Sequence, residues 1–67
     1  MTLGDALPRE MSRVRDQVMP PYLAIGPEGV AALMMMRAAL DDAARAMASG
    51  NVVAMLRAYE SLKGFDA

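Results

Sequence analysis

The sequence predicts an all-α protein: an N-terminal helix, a Pro-Pro corner, and then a long antiparallel helical hairpin. Apolar residues recur at spacings of three and four, the period of a helix that buries one face. Proline and glycine interrupt this pattern at a few points, and 67 residues suffice for one domain at most. We expect a single small helical domain over residues 1–67, with helices at about 8–19, 27–49 and 52–63.

The first helix is predicted from a narrow apolar stripe that suits docking on one surface. Thr2 and Asp5 fit an N-terminal capping pattern. Pro8 is tolerated only near a helix start, so the firm helix is expected from about residue 8, with fraying before it. Met19 precedes two prolines, which disfavour the α conformation in the preceding residue, so it is expected to end the helix. The stripe comprises Leu7, Met11, Val14 and Val18.

The central helix is predicted between Gly26 and Gly50, and the other elements are expected to cover it. Pro27 suits the first helical position, and Gly50 can adopt the left-handed conformation that ends a helix. Met34 and Met35 lie away from the main apolar stripe, so the N-terminal half of this helix is apolar on all sides. The expected core stripe of this helix and the next comprises Leu33, Met36, Leu40, Met47, Met55 and Tyr59.

The last helix is predicted to begin after Asn51, a favourable N-cap, and to end at Gly64. Only two or three residues connect it to the central helix, and so short a connection forces an antiparallel hairpin. The segment GNVVAMLRAYESL resembles the middle of a tetratricopeptide repeat in the spacing of Gly50 and Tyr59. Met55 stands where that repeat has alanine and no second unit follows, so the segment predicts a generic helical hairpin.

The small size of the chain raises the question of what stabilises it. A domain of this length normally needs disulfides, a metal, very good packing or a partner. The sequence contains no cysteine and no histidine, which excludes disulfides and makes a structural metal site very unfavourable. We therefore expect a homodimer in which two central helices pair, with a trimer or tetramer as other options. Alternatively, the first helix and residues 22–25 cover the Met34 and Met35 face within one chain.

The residue inventory predicts a protein without enzymatic activity and without cofactors. A catalytic triad needs a base such as histidine beside its nucleophile, and the chain offers neither histidine nor cysteine. Asp41 and Asp42 are adjacent on a helix, so their side chains project about 100° apart. This separation disfavours a shared catalytic site and favours a solvated helix face.

Composition favours a cytoplasmic protein. The net charge of −1 is spread along the chain, so no basic tract indicates nucleic acid as a partner. The N-terminus lacks the pattern of a secretory signal, and no apolar run approaches the ~20 residues that span a membrane. Thirteen alanines and six arginines against one lysine are typical of GC-rich genomes and favour a bacterial or phage source.

By elimination, the sequence predicts a small protein–protein interaction protein, of the kind that serves as a bacterial or phage accessory protein. Eight methionines against three aromatic residues suit an adaptable interface. The expected interface comprises Tyr22, Met34 and Met35, with Arg9 and Arg13 on its rim. The alternative is a helical DNA-binding transcription regulator that uses the arginine-bearing first helix. An amphipathic membrane-surface helix is disfavoured because its polar face lacks lysine and arginine enrichment.

Overall fold

The protein is all-α in the computed structural model, which describes residues 2–66; in that range there is no strand. The chain forms an elongated molecule measuring 35 × 19 × 16 Å along its principal axes. Its helical elements follow in this order: α1 (Leu3–Arg13), a π-helical turn (Val14–Val18), α2 (Met19–Ala24), a 3-10 turn (Gly26–Gly29), α3 (Val30–Ser49) and α4 (Val52–Lys63).

The predicted hairpin is formed by α3 and α4, and its connection has the expected chemistry. Gly50 ends α3 in the left-handed conformation, with φ of 69°. The Asn51 side chain then caps α4 by accepting a hydrogen bond from the backbone N–H of Ala54 at 3.1 Å. The α4 bounds match the predicted 52–63, whereas the predicted start of the central helix at 27 falls in the 3-10 turn that precedes Val30.

The first helix begins at Leu3, five residues earlier than the predicted firm start at about 8. Thr2 is its N-cap: the hydroxyl accepts from the backbone N–H of Asp5 and donates to the Asp5 carboxylate at 3.1 Å. Leu7 is completely buried, which fixes the turn before Pro8. The cap and this burial together stabilise the first turns, so Pro8 is accommodated inside the helix.

The expected helix end at Met19 is wrong, because the helical path continues through both prolines to Ala24. A π-helical turn lies just before them, closed by a hydrogen bond from the Met19 N–H to the Val14 carbonyl. Proline has no backbone N–H, and its ring presses against the carbonyl one turn back, so a wider turn makes room for the two rings. Val14 and Val18, at the two ends of this turn, are both buried.

The core is small and rich in alanine. α1 packs against α4 and α3, while α2 packs against α3. The largest fully buried side chains are Leu7, Val14, Val18, Met36 and Leu62. Alanines supply the remaining buried hydrophobic positions, which on α3 and α4 are Ala39, Ala43, Ala46 and Ala58. Small side chains let helix axes approach closely, so the hairpin is compact but buries few large apolar groups.

The expected core stripe is only partly in the core. Met36 is buried, and four more of its residues are half-buried and pack against the core: Leu33, Leu40, Met55 and Tyr59. Met47 is instead 38% exposed and lies at the surface. The buried face of α3 is centred on its alanines. It is therefore rotated about the helix axis relative to the face predicted from the large apolar residues.

Membrane insertion as a spanning helix finds no support in this architecture. Within residues 2–66, each helix is too short or too polar to cross a bilayer.

Candidate interaction surface

The most prominent concave feature is an open groove of about 980 Å³ between α3 and α4, which we call the hairpin groove. Within the described range its walls come from these two helices, the turn joining them and the segment after α4. α1 packs on the hairpin but contributes no side chain to these walls. One side of the hairpin is therefore covered by the chain itself, and the other is open.

The floor of the hairpin groove is made of small side chains, and its edges carry larger apolar ones. Met35 on α3 is 63% exposed and Val53 on α4 is 59% exposed, so both extend into solvent beside the groove. Small side chains flanked by larger apolar ones are typical of surfaces on which helices pack. The floor comprises Ala38, Ala39, Ala46, Ala54 and Ala58.

Charged side chains lie between the apolar ends of the hairpin groove. Asp42 and Arg45, one turn apart on α3, form an ion pair with each other and are both largely exposed. Arg57 lies across the groove on α4 and makes no ion pair within residues 2–66. The rim therefore carries an acidic and a basic group within one turn of the same helix, together with an additional positive charge.

The two methionines expected to form one interface face different directions. Both are exposed, but Met35 lines the hairpin groove and Met34 does not. Adjacent helix positions project about 100° apart, so one flat partner surface cannot cover both side chains fully. Val30, four residues before Met34 and on the same side of α3, is also exposed.

Tyr22 is half-buried and belongs mainly to the intramolecular packing. Its ring packs against the core, and its hydroxyl donates a hydrogen bond to the Asp66 carbonyl at 3.1 Å. The exposed apolar side chains of the corner are its neighbours Leu23 and Ile25. The structure therefore places Tyr22 under the corner, where it ties the C-terminal segment to α2.

Arg13 also has an intramolecular role that the sequence did not reveal. Its guanidinium donates to the carbonyls of Leu62 and Phe65 at 3.0 and 2.9 Å, and its Nε contacts Glu10 at 2.9 Å. These carbonyls belong to the end of α4 and the residues after it, where the Leu62 carbonyl also accepts the Phe65 N–H at 3.1 Å. Arg13 thus joins α1 to the C-terminal end of α4, whereas Arg9 stays exposed.

Substituting Arg13 with methionine should lower the free energy of unfolding by about 1–2 kcal/mol, because two carbonyls lose a charged donor. The matched variant Arg9→Met changes an exposed arginine of the same helix, and we expect a change within about 0.5 kcal/mol. Urea unfolding followed by circular dichroism measures both. Equal stability of the two variants would contradict the bridging role of Arg13.

The sequence prediction missed the hairpin groove and its charged residues. The sequence assigns Asp42 to a solvated helix face and gives Val53 no role. The signal that could have found the groove is the spacing of small residues on both helices, at 39 and 46 and again at 54, 58 and 61. An apolar period is recognised mainly from large hydrophobic residues, so alanine and serine contribute little to the predicted buried face.

Within residues 2–66, no three histidine, cysteine, aspartate or glutamate side chains are grouped so that they could hold a metal ion. Comparison of the chain with protein-family models, with curated proteins and with solved structures gives no match. Arguments about function therefore depend on the surface of the molecule itself.

Proposed function

We propose that this is a small, non-enzymatic, cytoplasmic interaction protein that modulates another protein and acts as a homo-oligomeric helical bundle, most simply a dimer. The inventory of residues supports a non-enzymatic role, because the chain has no histidine or cysteine. The composition typical of GC-rich genomes supports a bacterial or phage accessory protein.

The observation that carries this proposal is the imbalance between buried and exposed apolar groups. Five large side chains are fully buried, whereas nine large hydrophobic residues are exposed by at least 38%. The folded chain exposes 4433 Å², roughly 40% of the surface expected for a fully unfolded chain of its mass. A core of this size is marginal alone, and association would bury further apolar surface.

The DNA-binding alternative has less support. This alternative depends on the arginines near the start of the chain. The Arg13 guanidinium, however, is engaged within the molecule, because it donates to carbonyls at the end of α4. Arg15 contacts the Asp16 carboxylate at 3.3 Å, which offsets its charge. Arg9 remains, but one exposed arginine supplies little of the phosphate neutralisation that DNA binding requires.

The proposal is tested by thermal unfolding at different chain concentrations. When folding is linked to association, mass action raises the melting temperature as the concentration rises. We expect the melting temperature to increase by several degrees over a hundredfold concentration range. A cooperative transition with a constant melting temperature would show that the monomer is the stable unit and would contradict the proposal.

A further inference from the structure

We infer that the hairpin groove is the self-association site, and that two copies meet there antiparallel with Asp42 of each copy facing Arg45 of the other. This inference rests on the proposed function, because it presupposes that the chain associates with itself. It adds the surface, the orientation and the charged residues that fix the register.

The first argument is charge complementarity under two-fold symmetry. In a closed dimer, if residue i contacts residue j of the second copy, then j contacts i in return. A two-fold axis perpendicular to α3 and midway between Asp42 and Arg45 exchanges these two positions. Asp42 of each copy then meets Arg45 of the other copy, which gives two ion pairs between the copies. The pair is already at the groove rim and exposed.

The second argument concerns the apolar ends of the hairpin groove. At 1.5 Å per residue, Met35 lies about 13 Å along α3 from the midpoint between Asp42 and Arg45. The proposed axis brings it to the level of the hairpin turn of the second copy, where Val53 lies in the first turn of α4. Met35 and Val53 are the large exposed apolar residues of the groove, and this arrangement buries both in each copy.

The third argument is the size of the face. The α3 residues that line the hairpin groove run from Met35 to Ser49, a span of about 21 Å along the helix. The molecule presents a side of 35 × 19 Å, which has room for the roughly 600 Å² per copy at the lower end of stable interfaces. The alanine floor allows the helices of a second copy to approach closely, as in a four-helix bundle.

The test uses two variants that each remove the complementarity and together restore it. Asp42→Arg leaves three arginines on the groove rim, and Arg45→Asp leaves two aspartates and Arg57 there. We expect each variant alone to self-associate at least tenfold more weakly than the unmodified chain, measured by sedimentation. An equimolar mixture should form a heterodimer with close to the original affinity, because the arginines of one copy then face the aspartates of the other.

Mixing separates the contact between chains from the ion pair within one chain. Both variants break the internal Asp42–Arg45 pair, and mixing cannot rebuild it, so recovery reports on the interface alone. Both positions are exposed, and circular dichroism checks that each variant keeps its helicity. The matched controls are Asp41→Arg and Arg37→Asp, which change exposed charges of α3 outside the groove and should leave self-association unchanged.

The outcomes are distinguishable. Weakened variants whose mixture recovers dimerisation support the inference. Variants that associate as strongly as the unmodified chain overturn it and direct self-association to another surface, such as the corner around Leu23 and Ile25. Weakened variants whose mixture does not recover overturn the reciprocal pairing. An unmodified chain that stays monomeric at every concentration overturns this inference together with the proposed homo-oligomer.

Discussion

Gly29→Ala is expected to lower the free energy of unfolding by about 3 kcal/mol, and the melting temperature by more than about 10 °C. Gly29 is buried in the 3-10 turn that joins α2 to α3. A Cβ at this position would overlap the carbonyl oxygen of Tyr22 and lie 3.1 Å from Cγ1 of Ile25. The Tyr22 carbonyl belongs to the backbone of α2, so it can move only if α2 shifts relative to α3.

The matched control is Gly64→Ala. Gly64 has φ of −74°, which alanine adopts readily, and the nearest atom to an added Cβ is the Ser61 carbonyl oxygen at 3.5 Å. We expect this variant to unfold within about 1 kcal/mol of the parent chain, because the added methyl group makes only ordinary contacts within the chain. If both variants are equally stable in urea titrations, the close contact between α2 and α3 at Gly29 does not exist in solution.

Leu62→Ala is expected to cost about 2–5 kcal/mol, the range observed when a fully buried leucine is truncated. Leu62 is 0% exposed and belongs to the cluster that joins α1, α3 and α4. Because total stability is small for a chain of this size, the variant should be largely unfolded at 37 °C.

The control for Leu62 is Leu56→Ala on the same helix. Leu56 is largely exposed and does not line the hairpin groove, so we expect a change below about 1 kcal/mol. All stability measurements should use one fixed chain concentration, because apparent stability depends on concentration wherever folding is linked to association. A Leu62 variant as stable as the Leu56 variant would contradict the assignment of the core.

The hairpin could be predicted from the sequence because local chemistry determines it. Gly50 ends α3 through a backbone conformation that favours glycine, and Asn51 caps α4 with its own side chain. Both effects involve residues within one turn of each other, so the sequence displays them directly. The apolar period of α4 and its end at Gly64 were predictable for the same reason.

The continuous helical path through Pro20 and Pro21 could not be predicted in the same way. Local preference favours a helix end before a proline, and this preference was overridden by tertiary packing. Val14 and Val18 are both buried against the other helices, and the π-helical turn keeps them there while it accommodates the proline rings. Only the packed structure reveals that this compromise is favourable.

Of the residues that the sequence predicts for an interface, only one lines the hairpin groove. Met35 lies beside the hairpin groove, but Met34 faces another direction, and Arg13 binds carbonyls at the end of α4. An arginine 49 residues from its acceptor in sequence gives no local signal of that contact. The rotation of the buried face of α3 toward its alanines likewise depends on how closely α4 approaches, which a single helix does not specify.

The central claim is that two copies of the chain complete each other's apolar surface, and light scattering behind size exclusion tests it most directly. The unmodified chain has a mass of 7.2 kDa. Over a hundredfold range of loading concentration, we expect the measured mass to approach twice this value at the upper end. A folded species that keeps the monomer mass at every concentration would contradict the claim.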